Sequence, residues 1–308
     1  MKPMMVRTSR YERLRRIQTL DPDRDYQTIY RDMVQLEFPF ETAIGFHLAF
    51  IRPFAVPNIS RIVAGTGEVT TRTRKRIDDT AILMFELYEH GFDHPRGQAA
   101  LRRLNNVHKY WRTSNDDYIY VLATLLVPPM RILERYGWRP VSPAERQAAY
   151  VFYRELGRRM GVRDFPGSYP ALTAWFDSYE ARHMRRDPAN TQLMTAMHDF
   201  IGQRVPGWLR GVVNGSIDSL LEQEVRVAIG VPTPPLAVRV GTRAALRLRA
   251  TLTRLRRPTT EPLFKIGQPL PSYPDGYADV ELVGPGDQRD VAAKLRADRP
   301  HSQDQVTT

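Results

Sequence analysis

The chain has 308 residues, enough for one large domain or two small ones with a well-buried core. At 42% hydrophobic and 26% charged it is neither a polytopic membrane protein nor a disordered chain, and having no cysteine it has no disulfides, thiolate-held metals or cysteine nucleophiles. Lys+Arg 45 against Asp+Glu 34 leaves +11, which favours an anionic partner without naming one.

Residues 1–16 are basic but carry no apolar core, so they do not read as a secretory signal. Residues 38–63 are apolar yet broken by Glu41, His47, Arg52, Pro53 and Pro57. Residues 118–130 are apolar but too short and end at Pro128-Pro129, so neither stretch reads as a membrane span. Residues 72–90 form a helical pattern closed by Gly91, with Ile77, Ala81, Met84 and Tyr88 on one stripe. Asp93-His94-Pro95 opens the next helix, and Asn115-Asp116-Asp117 reads as the cap of a helix over 118–127. Ser142-Pro143-Ala144-Glu145 is a capping box, and Asp187-Pro188 starts another helix. No alternating run suggests a sheet.

Residues 236–257 place apolar residues and arginines at helical spacing. Such a helix lies on an anionic membrane surface or packs on the domain with a solvated arginine face, and both readings stay open. From residue 258 the composition changes: seven prolines, four glycines and little periodicity. Eight acids and five bases give this end −3, and the remaining 40 bases against 26 acids give residues 1–257 a charge of +14. The expected organisation is a basic segment over 1–25, an all-α domain over 26–257, and an irregular or disordered tail over 258–308 that can be removed without loss of folding.

Of seven histidines, His108 carries the clearest pattern. Leu101, Leu104, His108 and Trp111 share one helical stripe, so the imidazole points where core side chains point. A haem iron needs a neutral imidazole in a dry pocket, which fits; so does a core histidine hydrogen-bonded to a neighbour. Arg76 and Thr80 are i, i+4 and project from one face of the preceding helix. A carboxylate di-iron site needs paired Glu-x-x-His motifs, whereas Glu86 and His90 are four apart with no second copy. No Gly-x-Ser-x-Gly elbow and no nucleic-acid-binding motif occurs.

Taken in order, FPFETAIGFHLAFIRPFAVPNIS, TRTRKRIDDTAILMFEL, HGFDHPRGQAALRRLNNVHKYW and ERYGWRPVSPAERQ resemble the MpaB-type oxygenase family, which shares its catalytic domain with the latex-clearing rubber oxygenases. The likeness runs from about Phe38 to Asp199. It implies a single, globin-reminiscent helical domain binding haem b. His108 falls on the family's axial ligand, and Arg76 and Thr80 on its distal arginine and threonine. Asp79 stands where the rubber oxygenases have lysine, and Trp111 and Thr113 replace a Val-x-Gly pattern, so polyisoprene does not follow as substrate.

The resemblance thus implies a haem-dependent oxygenase that uses dioxygen on a lipophilic, isoprenoid or alkene-like molecule, in a pocket walled by 38–63 and 118–133 with His47 as an extra pocket histidine. The expected setting is cytoplasmic, with peripheral membrane contact through 236–257 and no nucleic acid. Two other classes stay open: a non-enzymatic haem- or lipid-binding helical protein, and a basic module on membrane or nucleic acid.

Overall fold

A computed structural model describes residues 10–111 and 113–286. The His301 position and the end of the tail lie outside the described residues. Among those described, α-helices supply the regular structure and no strand is formed; the only β pairing is a single bridge between Leu270 and Tyr273. The helices are α1 (Glu12–Ile17), α2 (Tyr26–Asp32), α3 (Pro39–Ile51), α4 (Pro57–Thr66), α5 (Glu68–Thr71), α6 (Thr73–His90), α7 (Pro95–His108) and α8 (Asn115–Thr124). Then follow α9 (Val127–Tyr136), α10 (Pro143–Arg159), α11 (Tyr169–His183), α12 (Pro188–Gly202), α13 (Arg210–Asp218), α14 (Gln223–Ile229) and α15 (Leu236–Leu255).

Proline and capping side chains set most of these boundaries. The Ser142 side chain accepts from the Glu145 amide while Glu145 accepts from the Ser142 amide, completing the capping box of α10. Gly91 ends α6 at φ 72°, a left-handed angle that suits glycine. Two boundaries differ from the sequence expectation. Ser114, not Asn115, caps α8, its hydroxyl accepting from the Asp117 amide at 3.0 Å, so Asp117 sits inside the first turn. Pro128-Pro129 do not close that helix but open α9, where their missing amides cost nothing.

Beside a small hydrophobic cluster of Ile17, Ile29 and Ala148, two large ones make most of the core. One joins α2, α6, α8, α10 and α11 around Tyr88, Tyr120, Phe152 and Phe176. The other joins α3, α9, α12 and α14 around Ile51, Phe54, Leu193 and Met197. Helices α3 and α9 approach so closely that a Cβ on Gly45 would lie 2.6 Å from the Pro129 Cα. Glu41 and Arg52, which interrupt the apolar 38–63 stretch, are buried and paired. Arg52 Nη2 donates to Glu180 at 2.7 Å and Nη1 to Glu222 at 2.7 Å, which keeps its charge in place despite burial. At the Arg-Tyr-Gly-Trp corner Trp138 is fully buried and its indole donates to the Glu37 carbonyl at 2.8 Å, while Arg139 joins Glu37 to Glu145.

Among the described residues the tail is irregular but packed on the core. Phe264 stacks on Phe85 with ring centroids 4.8 Å apart, and Tyr277, Val280 and Val283 are buried in the first cluster. The Gln35 side chain accepts from the Phe264 amide at 2.9 Å and donates back to its carbonyl at 3.3 Å. The expectation of a dispensable tail rests on composition, which does not show where these few apolar residues pack. Helix α15 also departs from expectation. Two of its arginines reach back to the domain, Arg249 pairing with Glu41 at 2.7 Å and Arg254 donating to the Trp138 carbonyl at 2.6 Å, while Arg247 and Arg256 stay exposed. Its leucines at 248, 252 and 255 face outward.

Candidate active site

Between α3, α4, α6, α7 and α8 lies a cavity of about 240 Å³. Its walls are mainly apolar, from Phe50, Ile59, Val63, Leu83, Val121 and Leu125 among others, and Val63 touches both core clusters. The segments 38–63 and 118–133 therefore both contribute walls. His108, Arg76 and Thr80, chosen separately in the sequence, all line this one space.

His108 is the last residue of α7. Its Nδ1 lies 2.8 Å from the Leu104 carbonyl oxygen, one turn back. A carbonyl only accepts, so Nδ1 carries the proton and Nε2 keeps its lone pair. No described residue hydrogen-bonds Nε2. Burial, with the charge of Arg76 nearby, holds the ring below the usual imidazole range, so it is neutral at pH 7. The Tyr118 hydroxyl donates to the His108 carbonyl at 3.1 Å, tying the end of α7 to α8. Trp111 lies past the helix end, yet it also lines the cavity, so the stripe holds in space although the helix stops at His108.

Arg76 donates to the Thr80 hydroxyl, which in turn donates to the Arg76 carbonyl at 2.9 Å. Arg76 lies over Phe50, 5.6 Å from its centroid, and forms no ion pair among the described residues. Burial lowers its affinity for the proton, while Asp79 and Glu68, both lining the cavity, oppose that effect. Asp79 is held by Lys75 at 2.9 Å and by the Tyr273 hydroxyl at 2.5 Å.

Sequence reasoning missed three contributors. Glu68 is buried in the wall with one carboxylate oxygen lacking a partner among the described residues, and nothing in its local pattern marks it. Asp117 was read as a cap; buried, it takes a hydrogen bond from Tyr179 on α11. Gly284 and Pro285 bring the tail to the rim, held by Lys75 and Arg103 through the Gly284, Val283 and Pro285 carbonyls. His47 is not in the wall. It is packed near Arg204 and His198, its Nε2 buried without a partner among the described residues and its pKa pushed down to about 4. Glu86 is engaged by Arg96 at 3.0 Å and lies 3.5 Å from His90, an ion-paired cluster. Among the described residues no three His, Asp or Glu side chains are grouped to hold a bare metal ion.

The site is thus an apolar cavity within a helical fold, holding one neutral imidazole and one guanidinium that forms no ion pair among the described residues. Residues 39–256 match the family described as the ER-bound oxygenase mpaB/B′ and rubber oxygenase catalytic domain, and the chain belongs to that family. It is 28% identical to an ER-bound oxygenase mpaB of Penicillium brevicompactum, over 67% of this chain and 61% of that one. It is 27% identical to the mpaB′ of the same organism over 62% of this chain and 52% of the other, so it spans little more than half the length of these relatives. A Penicillium roqueforti mpaB is 26% identical over 62% of this chain and 74% of its own. Among the described residues no helix is long and apolar enough to cross a membrane.

Proposed function

We propose that this protein is an oxygenase that binds haem b through His108 and acts oxidatively on a lipophilic, isoprenoid or alkene-like substrate. The observation that carries the reading is the state of His108: a neutral ring anchored through Nδ1 to the Leu104 carbonyl, with Nε2 left as the nitrogen available to an apolar cavity. The residues fit the group, because a haem takes a single imidazole from the protein and apolar contacts on its faces. At about 240 Å³ the cavity is smaller than the ~300–1,000 Å³ of ordinary ligand pockets, so taking up a haem requires its walls to move outward. The bound haem supplies the iron chemistry with dioxygen.

The chain's own residues supply the rest. Leu104 fixes the tautomer and angle of His108, and Tyr118 fixes the helix end that carries it. Arg76 keeps a positive charge in the cavity for an anionic or polarised group, with Thr80 holding its guanidinium in one rotamer. The leucine, valine and phenylalanine walls exclude water and suit an apolar substrate.

The test is spectroscopic first. Protein purified after expression with haem supply should show a Soret band, and a reduced, carbon monoxide-treated sample should shift it. Oxygen uptake should then depend on an added isoprenoid alkene. A protein that neither retains nor takes up haem would refute the reading.

A further inference from the structure

Helix α15 carries an apolar stripe that its own domain leaves uncovered. Its contact with the domain is narrow, through Leu246 and Ala250, and is reinforced by Arg249 to Glu41 and Arg254 to the Trp138 carbonyl. The opposite side is apolar and exposed: Leu236 is 70% exposed, Val240 54%, Leu248 60%, Leu252 45% and Leu255 83%. A stripe of large apolar side chains turned towards water along one helix opposes the usual burial preference. The 3-10 turn leading into α13, which packs on α15, adds Trp208 at 79% exposure.

We propose that the outer face of α15, together with Trp208, docks this protein onto an anionic lipid surface. Two observations select that occupant. Residues 236–257 contain seven arginines and no Asp or Glu, and the exposed Arg247 and Arg256 at the flanks of the apolar stripe form no ion pair among the described residues. Anionic headgroups supply the missing negative charge, and arginine stems reach them while the leucines enter the acyl boundary. A second copy packed face to face would instead bring two acid-free arginine rims together. The helix, about 30 Å long, would lie in the plane of the interface. The inference is independent of the haem reading, since no residue of the cavity takes part.

The test is flotation of the full-length protein with phosphatidylcholine vesicles, with and without phosphatidylglycerol. Binding is expected only where phosphatidylglycerol is present, weakened by added salt. The double variant Leu248→Gln/Leu252→Gln should reduce the bound fraction about tenfold or more with its melting temperature unchanged, because both side chains already face water. Arg247→Gln/Arg256→Gln should lower binding to the anionic vesicles. Independently, vesicles should shift tryptophan emission to the blue, and Trp208→Phe should remove most of that shift. No binding to either vesicle overturns the proposal, as does equal binding to both. So does a concentration-dependent dimer that the leucine variant abolishes, which would make the occupant a second copy.

Discussion

The Nδ1 of His108 donates to the carbonyl oxygen of Leu104, 2.8 Å away and one turn earlier on α7. A carbonyl oxygen has two lone pairs, so the one at Leu104 can take the ring N–H in addition to its helical amide partner, and that contact fixes the tautomer. The local helix geometry, rather than a partner from another element, therefore decides which nitrogen meets the cavity.

His108→Ala should fold and lose its haem, because no other cavity-lining side chain carries an imidazole. The Soret absorbance of the purified variant should fall to background while its far-ultraviolet circular dichroism is unchanged. Since burial holds the ring below the ordinary histidine range, the wild type should keep haem as pH falls past ~6.5 and release it only at lower pH. Release centred at or above ~6.5 would contradict the neutral, buried ring.

Arg76→Leu and Thr80→Val should leave haem bound and change what happens at it. The two side chains share one hydrogen bond, so their effects should not add. Turnover is expected to drop about a hundredfold for Arg76→Leu, on the scale of removing a preorganised charge, and less for Thr80→Val. Ligand-binding spectra of the reduced protein identical to wild type in both variants would make the pair merely structural.

The helices and the site were legible in the sequence to different degrees. The α10 capping box, the glycine stop of α6 and the i, i+4 placement of Arg76 and Thr80 are local features, and local sequence specifies them. That α6 and α7 bring Arg76 and His108 to one cavity is long-range packing, which the family resemblance supplied and periodicity did not. Asp117 was misread because a carboxylate near a helix start looks like a cap whether or not a serine one residue ahead of that run takes the role. His47 looked like a pocket residue because it shares α3 with the true wall residues Ala49 and Phe50, but it faces Arg204 and His198 instead.

The position of His47 sets a pH dependence. Its folded-state pKa is pushed down to about 4 by burial and by the nearby Arg204 and His198, whereas an unfolded histidine titrates near ~6.5. Below that value the unfolded chain gains a proton that the folded chain refuses. The contribution to stability is thus intact above ~6.5, shrinks as pH falls towards the folded-state value, and changes no further beneath it. In urea denaturation, His47→Leu should lose less stability than wild type between neutral pH and pH ~5, by up to about 2 kcal/mol. Parallel pH profiles would mean the ring is protonated within the fold.

The tail prediction turns on Phe264. Its ring stacks on Phe85 within the first cluster, and its backbone is clasped on both sides by the Gln35 amide. Phe264→Ala should cost about 3 kcal/mol, the range for a buried phenylalanine, and lower the melting temperature by several degrees. Ending the chain at Arg257 should cost more, since it also uncovers Phe85 and frees Lys75 and Arg103 from the carbonyls at 283–285. That truncation removes Gly284 and Pro285 from the cavity rim as well, so haem loss should accelerate even at temperatures where the helices persist. Comparing Phe264→Ala with the truncation separates the two effects: the point variant should be less stable yet release haem at close to the wild-type rate. A truncated protein with wild-type melting and wild-type haem release would show that the tail's contacts stabilise nothing.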